Sequence, residues 1–474
     1  MMVSRNPSSK LILVRSEEIS VASCDAGEHV KELVCFAPAP LSAPLDDSVS
    51  QAEAIPERRE RMQVVYERCC GLDVHQKTVV GCRLLSQPKG TVEKSIRAFA
   101  TTTNGLRELD HWLAEGQVEQ VALESTGLYW RPVFNLLEGR YEILLVNAQH
   151  MHAIPGHKTD IKDSEWIADL LRHGLLKASF IPPKPIRELR DLVRTHTQLM
   201  QERNRHINRI HKILETTNIK LSSVVTDIVG KSARQMIEAL IEGESDPVEL
   251  AKLARGRMRP KIALLQQALQ GHFEPHHRFL LRETLAHLDF LQQRVGQLEQ
   301  EVAERLSPFE KSLALLMTIP GISRRSATIL ISELGTDMTA FPSAAHLASW
   351  VGLCPGSHLS AGKRRNGKPT KGNRYLRSVL TQIAWVLTRM RDNYLSAQFH
   401  HLRPRLGEKK AVVAVAHSVL VIVHHVLAKE EPYQDLGPDY FRRQDKEQQA
   451  RRFVHQLETL GYRVELAPQE EVTA

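Results

Sequence analysis

The sequence predicts an α/β domain followed by two helical regions, and three patterns support this prediction. Residues 63–185 alternate strand-like and helix-like apolar runs, which is typical of a domain built on a mixed sheet. Residues 186–310 repeat apolar side chains about every 3.5 residues, as coiled-coil helices do. Residues 311–430 contain apolar helical segments separated by turns. The chain of 474 residues is long enough for several domains.

The two ends of the chain differ from the middle in composition. Residues 1–62 mix proline, serine, alanine and scattered charge, and this composition favours a disordered extension. The first strand is predicted just after Met62, so we expect the chain to work when it is started there. Residues 431–474 are rich in charge, and we expect a peripheral tail.

The α/β domain can be divided into elements by periodicity. Alternating and continuous apolar runs predict strands over 64–74, 78–85, 118–123 and 141–146. Helical spacing predicts helices over 106–113, 129–137 and 163–173, with Asn104 as the cap of the first.

Two long apolar seams predict a pair of helices in the middle region. The first seam contains Leu189, Leu192, His196, Leu199, Arg203, Ile207, Ile210 and Leu214. The second seam contains Leu281, Leu285, Leu288, Leu291, Val295, Leu298, Val302 and Leu306. Such helices can pair as an antiparallel coiled coil or meet a second subunit, and both alternatives remain open. Shorter helices are expected over 226–275.

Charge, cysteines and hydropathy restrict the class of protein. The formal net charge is +8, which fits a polyanionic partner without proving one. The six cysteines form no Cys-x-x-Cys pair, so we expect reduced thiols, no structural zinc and a cytoplasmic location. We also expect no membrane span, because no apolar run approaches the ~20 residues that a bilayer requires.

Four carboxylates are candidate metal ligands and catalytic residues. Asp73 and Glu124 each end a predicted strand, while Asp160 and Asp163 are three residues apart at the start of a predicted helix. If the two strands are neighbours, all four acids converge at one edge of the sheet and suit Mg²⁺. Taken singly, Asp73 could be a turn residue and the two helix-start acids could be favoured by the helix dipole.

A basic segment follows Ser360, a candidate nucleophile. Seven basic residues and no acid lie between 363 and 377, interleaved with glycines, and this composition predicts contact with nucleic-acid phosphates. They are Lys363, Arg364, Arg365, Lys368, Lys371, Arg374 and Arg377. On chemistry alone, Ser357 is an equal candidate, and a solvated loop is the alternative for the whole segment.

Two further features of the carboxy-terminal region are ambiguous. Pro320 and Gly321 lie between apolar helices, as in a helix-hairpin-helix whose turn binds phosphate, or in an ordinary helical connection. His417, His424 and His425 have no acidic or cysteine partners nearby in sequence, so we interpret them as core or interface residues.

These motifs resemble one known family. Gly-Leu-Asp-Val-His-Gln-Lys at 71–77, Glu-Ser-Thr-Gly-Leu-Tyr at 124–129 and Lys-Thr-Asp-Ile-Lys-Asp at 158–163 resemble the DEDD transposases of insertion sequences. The segments at 318–322, 341–355, 359–363 and 371–377 are similar to the carboxy-terminal transposase domain of that family. The resemblance covers about residues 66–430, and the domains follow one another in the order that is usual for the family.

The resemblance implies a detailed set of expectations. It implies an RNase H-like (RuvC-like) fold over 63–185, a coiled coil over 186–310 and a transposase domain over 311–430. It implies that Asp73, Glu124, Asp160 and Asp163 hold Mg²⁺, and that Ser360 attacks a DNA phosphate to form a phosphoserine. It also implies donor and target DNA, a noncoding bridge RNA and a homo-oligomer, a dimer or tetramer, as partners.

The sequence therefore predicts a site-specific DNA recombinase that moves its own insertion element. One alternative is a RuvC-like, metal-dependent nuclease or junction resolvase, in which water attacks the phosphate. A second alternative is a non-enzymatic DNA-binding protein, against which the four acids argue, because carboxylates in a DNA groove repel phosphate unless a metal intervenes.

Overall fold

The computed structural model describes residues 14–15, 63–88, 91–125, 127–146, 160–354, 358–360, 363–366 and 372–465. Side chains are described for these residues except 14–15, 160–162, 358–366 and 442–449. Apart from Val14–Arg15, the extension over 1–62 that we predicted to be disordered lies outside the described residues.

The chain forms two compact units. Unit 1 comprises Met1–Ile181 and Gly461–Ala474, and unit 2 comprises Pro182–Leu460. In unit 1, a short strand β1 (Val14–Arg15) pairs antiparallel with the last strand, β9 (Tyr462–Arg463).

Unit 1 is built on a five-stranded mixed sheet in the order β4-β3-β2-β5-β6. Its strands are β2 (Arg68–Val74), β3 (Thr78–Ser86), β4 (Val92–Ala100), β5 (Gln120–Glu124) and β6 (Glu142–Val146). Strand β3 is antiparallel to its two neighbours, β2 and β4, whereas β5 runs parallel to both β2 and β6.

Helices cover both faces of this sheet. On one face, α1 (Thr103–Glu115) and α2 (Trp130–Leu137) enclose a core that includes Leu72 and Leu123. On the other face, α3 (Asp160–Arg172) packs on alternate residues of the same strands, among them Cys69 and Ala122. Because successive residues of a strand point to opposite faces, alternate residues of each strand belong to the two different cores.

The strands and helices predicted for unit 1 are present, with two corrections. Strand β4 was not predicted, because its residues are mostly exposed and interrupt the apolar alternation with charge, as edge strands often do. The cap of α1 is Thr102, whose hydroxyl accepts a hydrogen bond from the Gly105 amide at 3.3 Å, and not Asn104.

Unit 2 begins with two long helices, α4 (Lys184–Thr216) and, after four short helices, α9 (Pro275–Leu306). They pack antiparallel, because Glu188 contacts Arg305 at 2.5 Å and His196 contacts Glu299 at 3.2 Å. All but one of the second seam's residues are buried. The two seams therefore meet within one chain, the first of the alternatives left open by the sequence.

Four short helices close the far end of this hairpin over a core of their own. They are α5 (Leu221–Val224), α6 (Lys231–Glu242), α7 (Pro247–Lys252) and α8 (Ile262–Ala268), with a 3₁₀ turn at Gly256–Lys261. Their buried residues join Leu214 and Leu281 in one hydrophobic cluster.

In the remainder of unit 2, the regular elements that the structure describes are helices and one hairpin of strands. A 3₁₀ turn at Ser307–Phe309 precedes the first of these helices, and β7 (His358–Ser360) and β8 (Lys363–Asn366) form the hairpin. The helices are α10 (Glu310–Met317), α11 (Arg324–Leu334), α12 (Ala344–Val351), α13 (Arg374–Leu387), α14 (Tyr394–Leu406), α15 (Glu408–Lys429) and α16 (Tyr440–Thr459).

Helix α15 corrects the expectation about apolar runs. This helix of 22 residues is long and apolar enough to cross a membrane by length and composition, with a mean hydropathy of 2.1 over its most apolar stretch. However, 56% of that stretch is buried, and the helix packs against α12, α13 and α14. Packing within unit 2 accounts for its apolar residues, and His424 is buried among them as a core residue.

Candidate functional site

Asp73 lies near the carboxyl end of the central strand β2 with only 4% of its surface exposed. The imidazole Nε2 of His75 contacts its Oδ2 at 3.0 Å. A carboxylate removed from water needs such compensation, because burial disfavours the charged form.

Glu124 occupies the matching position on the neighbouring strand. Strands β2 and β5 are parallel, and their last paired residues are Leu72 and Leu123, so Asp73 and Glu124 follow at the same register. Adjacent strands lie about 4.8 Å apart. The two carboxylates therefore leave the same end of the sheet side by side, as we predicted if the strands were neighbours.

The same parity argument assigns both acids to the face covered by α3. Asp73 is two residues beyond Gly71 and four beyond Cys69, and Glu124 is two residues beyond Ala122. Cys69 and Ala122 belong to the core under α3. Asp73 and Glu124 thus face the helix that carries Asp160 and Asp163.

Close backbone packing fixes the position of α3. A Cβ atom at Gly71 would lie 2.4 Å from the Ala168 nitrogen and 2.5 Å from the Ser164 oxygen, so only glycine allows this approach. The Sγ of Cys69 also lies 3.8 Å from the Ala168 oxygen. No side chain separates the strand from the helix at this point.

The direction of α3 places its first turn beside the acids. The contacts of α3 with β2 and with the residues just before it run from Arg172 with Val65, through Ala168 with Cys69, to Ser164 with Gly71. The helix is therefore antiparallel to the strand, and its amino terminus lies at the end of the sheet where Asp73 lies. Asp163 is half-buried in this first turn, and the side chain of Asp160 lies outside the described residues.

The donor set fits a hard divalent cation. Carboxylate oxygens are the ligands that Mg²⁺ prefers, and it keeps several waters beside them. The neighbouring thiols do not compete, because burial raises the pKa of Cys69 to about 12 and that of Cys82 to about 11. Protonated thiols are poor metal ligands.

Ser360 is the last residue of β7, in unit 2. It pairs with Lys363 of β8, and the next pair is Leu359 with Arg364, so one basic residue lies directly opposite the serine and another lies opposite its neighbour. The ladder is irregular between His358 and Leu359. Ser357, the other candidate nucleophile, lies outside the described residues.

The basic segment is divided between the hairpin and a helix. Lys363, Arg364 and Arg365 belong to β8, while Lys368 and Lys371 lie outside the described residues. Arg374 and Arg377 begin α13, three residues apart and therefore on one face. The structure thus brings these two arginines together on one helical turn.

A buried carboxylate that we did not predict anchors the start of α13. Glu333 is 1% exposed and accepts two hydrogen bonds from Arg194, at 2.7 and 2.8 Å. Asn373, the cap of α13, donates to the same carboxylate at 2.6 Å. Burial alone would lower the pKa of the Arg194 guanidinium, but its bonds to Glu333 raise it. No sequence signal pairs residues so distant in the chain.

The Pro-Gly turn joins α10 and α11 as expected. Gly321 has a φ of +81°, a left-handed conformation that favours glycine, and Ser323 caps α11 by accepting from the Ser326 amide. A second unpredicted cluster, Glu274, His276 and His277, has ligand atoms within 4.8 Å of one another. Glu274 and His277 form the capping box of α9, which explains their arrangement.

Comparison with known proteins finds two family matches along the chain. Residues 70–219 match the DEDD transposase model of IS110-type elements, and residues 313–401 match the model described as transposase of the IS116/IS110/IS902 family. The first match contains the four acids, and the second contains Ser360 and the basic segment.

Curated relatives cover part of the chain. A 43.6 kDa protein of insertion element IS110 from Streptomyces coelicolor is 29% identical over 247 residues, which are 48% of this chain and 60% of the relative. A Sinorhizobium fredii protein named as a transposase, y4pF/y4sB, is 25% identical over 58% of this chain and 64% of its own. The pilin gene-inverting protein of Moraxella bovis is 29% identical over 25% of this chain and 38% of its own.

The chain therefore spans less than two thirds of the length of each of these relatives. The two family matches nevertheless occur in order, one in each half of the chain. With both transposase domains present, the chain belongs to the IS110 family of transposases.

Proposed function

We propose that this protein is a DNA transposase that cuts and rejoins strands at the ends of its own insertion element. The observation that supports this most is the shared register of Asp73 and Glu124 beneath the first turn of α3. A relative named for inverting a pilin gene supports rearrangement of DNA in particular.

The finer assignment of unit 1 is an RNase H-like, or RuvC-like, fold. Its support is the mixed sheet, with three antiparallel strands and two parallel ones, and helices on both faces. We also propose domains at residues 63–185, 186–310 and 311–430. In sequence, the middle domain contains the coiled-coil hairpin of α4 and α9, and the two catalytic domains precede and follow it.

Asp73, Glu124, Asp160 and Asp163 would hold Mg²⁺. When bound, the ion would polarise the scissile phosphate and neutralise the charge that develops on it. The residues' own contribution is to bring negative oxygens to one edge of the sheet on packed elements, so that the ligands are positioned before the substrate arrives.

Ser360 would supply the nucleophile. Its Oγ would lose its proton and form a bond to phosphorus, while the bond from phosphorus to one deoxyribose oxygen breaks and that oxygen leaves as a hydroxyl. A second DNA hydroxyl would reverse the step on another strand end, which conserves the phosphodiester energy without ATP. The basic residues of β8 and α13 would hold the adjoining phosphates.

Partners and location complete the proposal. We infer donor and target DNA as substrates, a noncoding bridge RNA as guide, and a homo-oligomer in which the serine of one subunit joins the acids of another. The protein would work in the cytoplasm. Sequencing the RNA that co-purifies with the protein from its native locus tests the guide.

The proposal is tested by strand exchange on DNA from the native locus, with Mg²⁺ or with EDTA. We expect joined recombinant strands with Mg²⁺ and none with EDTA. Products that end in free hydroxyl and phosphate groups without any joined strand would instead identify a nuclease or resolvase, in which water attacks. Binding without cleavage under both conditions would identify a DNA-binding protein.

A further inference from the structure

An open groove of about 590 Å³ lies within unit 2 between α4, α11 and α13. This volume falls in the range of ~300–1,000 Å³ that is usual for ligand sites. The groove lies on the face of α13 that begins with Arg374, so it adjoins the end of the basic segment.

The lining of the groove combines polar and basic side chains with apolar ones, among them Ile329 and Val379. Four of its side chains are amides, Gln198, Gln201, Asn204 and Gln382, and two are arginines, Arg325 and Arg374. Among the described residues that line it, there is no carboxylate. Amides and arginines are the side chains that contact phosphate and sugar oxygens, whereas a carboxylate would repel a polyanion.

Arg325 differs from its neighbour in sequence. Arg324 forms an ion pair with Glu310 at 2.7 Å, but Arg325 is exposed and forms no ion pair within the part of the chain that the structure describes. Arg325 lines the groove and Arg324 does not. The guanidinium of Arg325 is therefore available to a ligand.

Arg374 is held in place by a stack of side chains. Its guanidinium lies 4.9 Å from the ring centre of Tyr375 and donates to the Tyr375 hydroxyl at 3.0 Å. Arg194 lies 4.7 Å from the same ring, and Glu333 fixes Arg194. The charged wall of the groove is thus positioned by the buried carboxylate behind it.

We propose that this groove binds the phosphodiester backbone of a nucleic-acid strand, with Arg325 and the amides of α4 as contacts outside the basic segment. The proposal rests on the proposed function, since it adds a strand-binding site to a nucleic-acid enzyme. Tyr375 also lines the groove, but the guanidinium groups of Arg194 and Arg374 lie over its ring. The guanidinium and amide donors of the lining therefore favour the backbone over a stacked base as the ligand.

The test is the salt dependence of binding by the full chain in EDTA, so that cleavage plays no part. The probes are a single-stranded DNA, a single-stranded RNA of the same sequence and the DNA duplex. We expect Arg325→Gln to weaken binding by roughly tenfold for at least one probe. The slope of log K against log salt should fall by about 0.7 for a single strand or about 0.9 for duplex. The probe with the larger change identifies the strand.

The matched control is Arg324→Gln, which makes the same charge change one residue away at a side chain already paired with Glu310. A second comparison adds an acid: Gln201→Glu in the groove against Gln292→Glu, exposed on α9. We expect Arg324→Gln and Gln292→Glu to bind within about twofold of the wild type, and Gln201→Glu to bind as weakly as Arg325→Gln.

Two results would overturn the proposal. One is an unchanged slope and affinity for Arg325→Gln and Gln201→Glu with all three probes. The other is an equal loss in each variant and its control, because that would reflect net charge alone. Neither result bears on catalysis, which the strand-exchange assay with Mg²⁺ measures separately.

Discussion

Asp73 in unit 1 and Glu333 in unit 2 are both carboxylates almost wholly removed from water, but their surroundings differ. Glu333 accepts bonds from Arg194 and Asn373 and also lies 3.4 Å from Arg190. Asp73 contacts His75 and leaves the sheet beside a second carboxylate, Glu124. A buried acid bonded to arginines is already compensated, whereas two carboxylates side by side repel each other unless a cation or a proton neutralises one of them. We therefore interpret Glu333 as a structural carboxylate and propose Asp73 as a functional one.

The largest effect that we expect is on activity, from Asp73→Asn. Because the amide keeps the shape and removes a metal ligand, strand exchange should fall by roughly three orders of magnitude or more, while the melting temperature of unit 1 stays near that of the wild type. The control is Glu142→Gln, at the opposite end of the same sheet. Turnover of Asp73→Asn close to that of the control would make Asp73 structural.

For Glu333→Gln we expect the main effect on stability rather than on activity. Removing this charge leaves buried guanidinium groups without their partner, and we expect unit 2 to lose about 3–5 kcal/mol of stability. The exposed pair of Glu310 with Arg324 supplies the control, because Glu310→Gln should cost about 1 kcal/mol or less. Denaturant titration measures both. An equal, small change in the two variants would show that Glu333 has no special structural role.

A smaller effect concerns the contact that positions α3. A Cβ at Gly71 would meet helix backbone, so Gly71→Ala should destabilise unit 1 by about 1–3 kcal/mol and reduce activity by moving Asp163 away from the sheet. Gly296 on α9 has no atom within 4 Å of its Cβ position, and Gly296→Ala should be neutral or stabilising by up to about 1 kcal/mol. Thermal unfolding distinguishes the two, and an undisturbed Gly71→Ala would show that α3 can shift.

The predictable parts of the molecule are those governed by local pattern. Periodicity located β2, β5 and the acids at their ends, because each depends on a few neighbouring residues. It also located the seam of α9, whose apolar residues keep their spacing over the whole helix. What the pattern could not decide was whether that seam pairs within the chain, since the same residues would serve a second subunit.

The parts that could not be predicted depend on contacts between distant residues. The bonds of Glu333 with Arg194 join positions 139 residues apart, and nothing local marks either side chain. The groove beside Arg325 likewise needs three helices from separate parts of the chain. Strand β4 could not be predicted for a different reason. As an edge strand it is mostly exposed, so its sequence lacks the apolar alternation of a buried strand.

The central claim is that Ser360 carries the DNA during strand exchange, and one measurement addresses it most directly. The full chain is incubated with DNA from its native locus and Mg²⁺, denatured, digested with protease and analysed by mass spectrometry for a nucleotide-modified peptide. We expect the modification on Ser360, its loss in Ser360→Ala and its persistence in Ser357→Ala. An adduct that remains in Ser360→Ala, or active strand exchange without any adduct, would contradict this account.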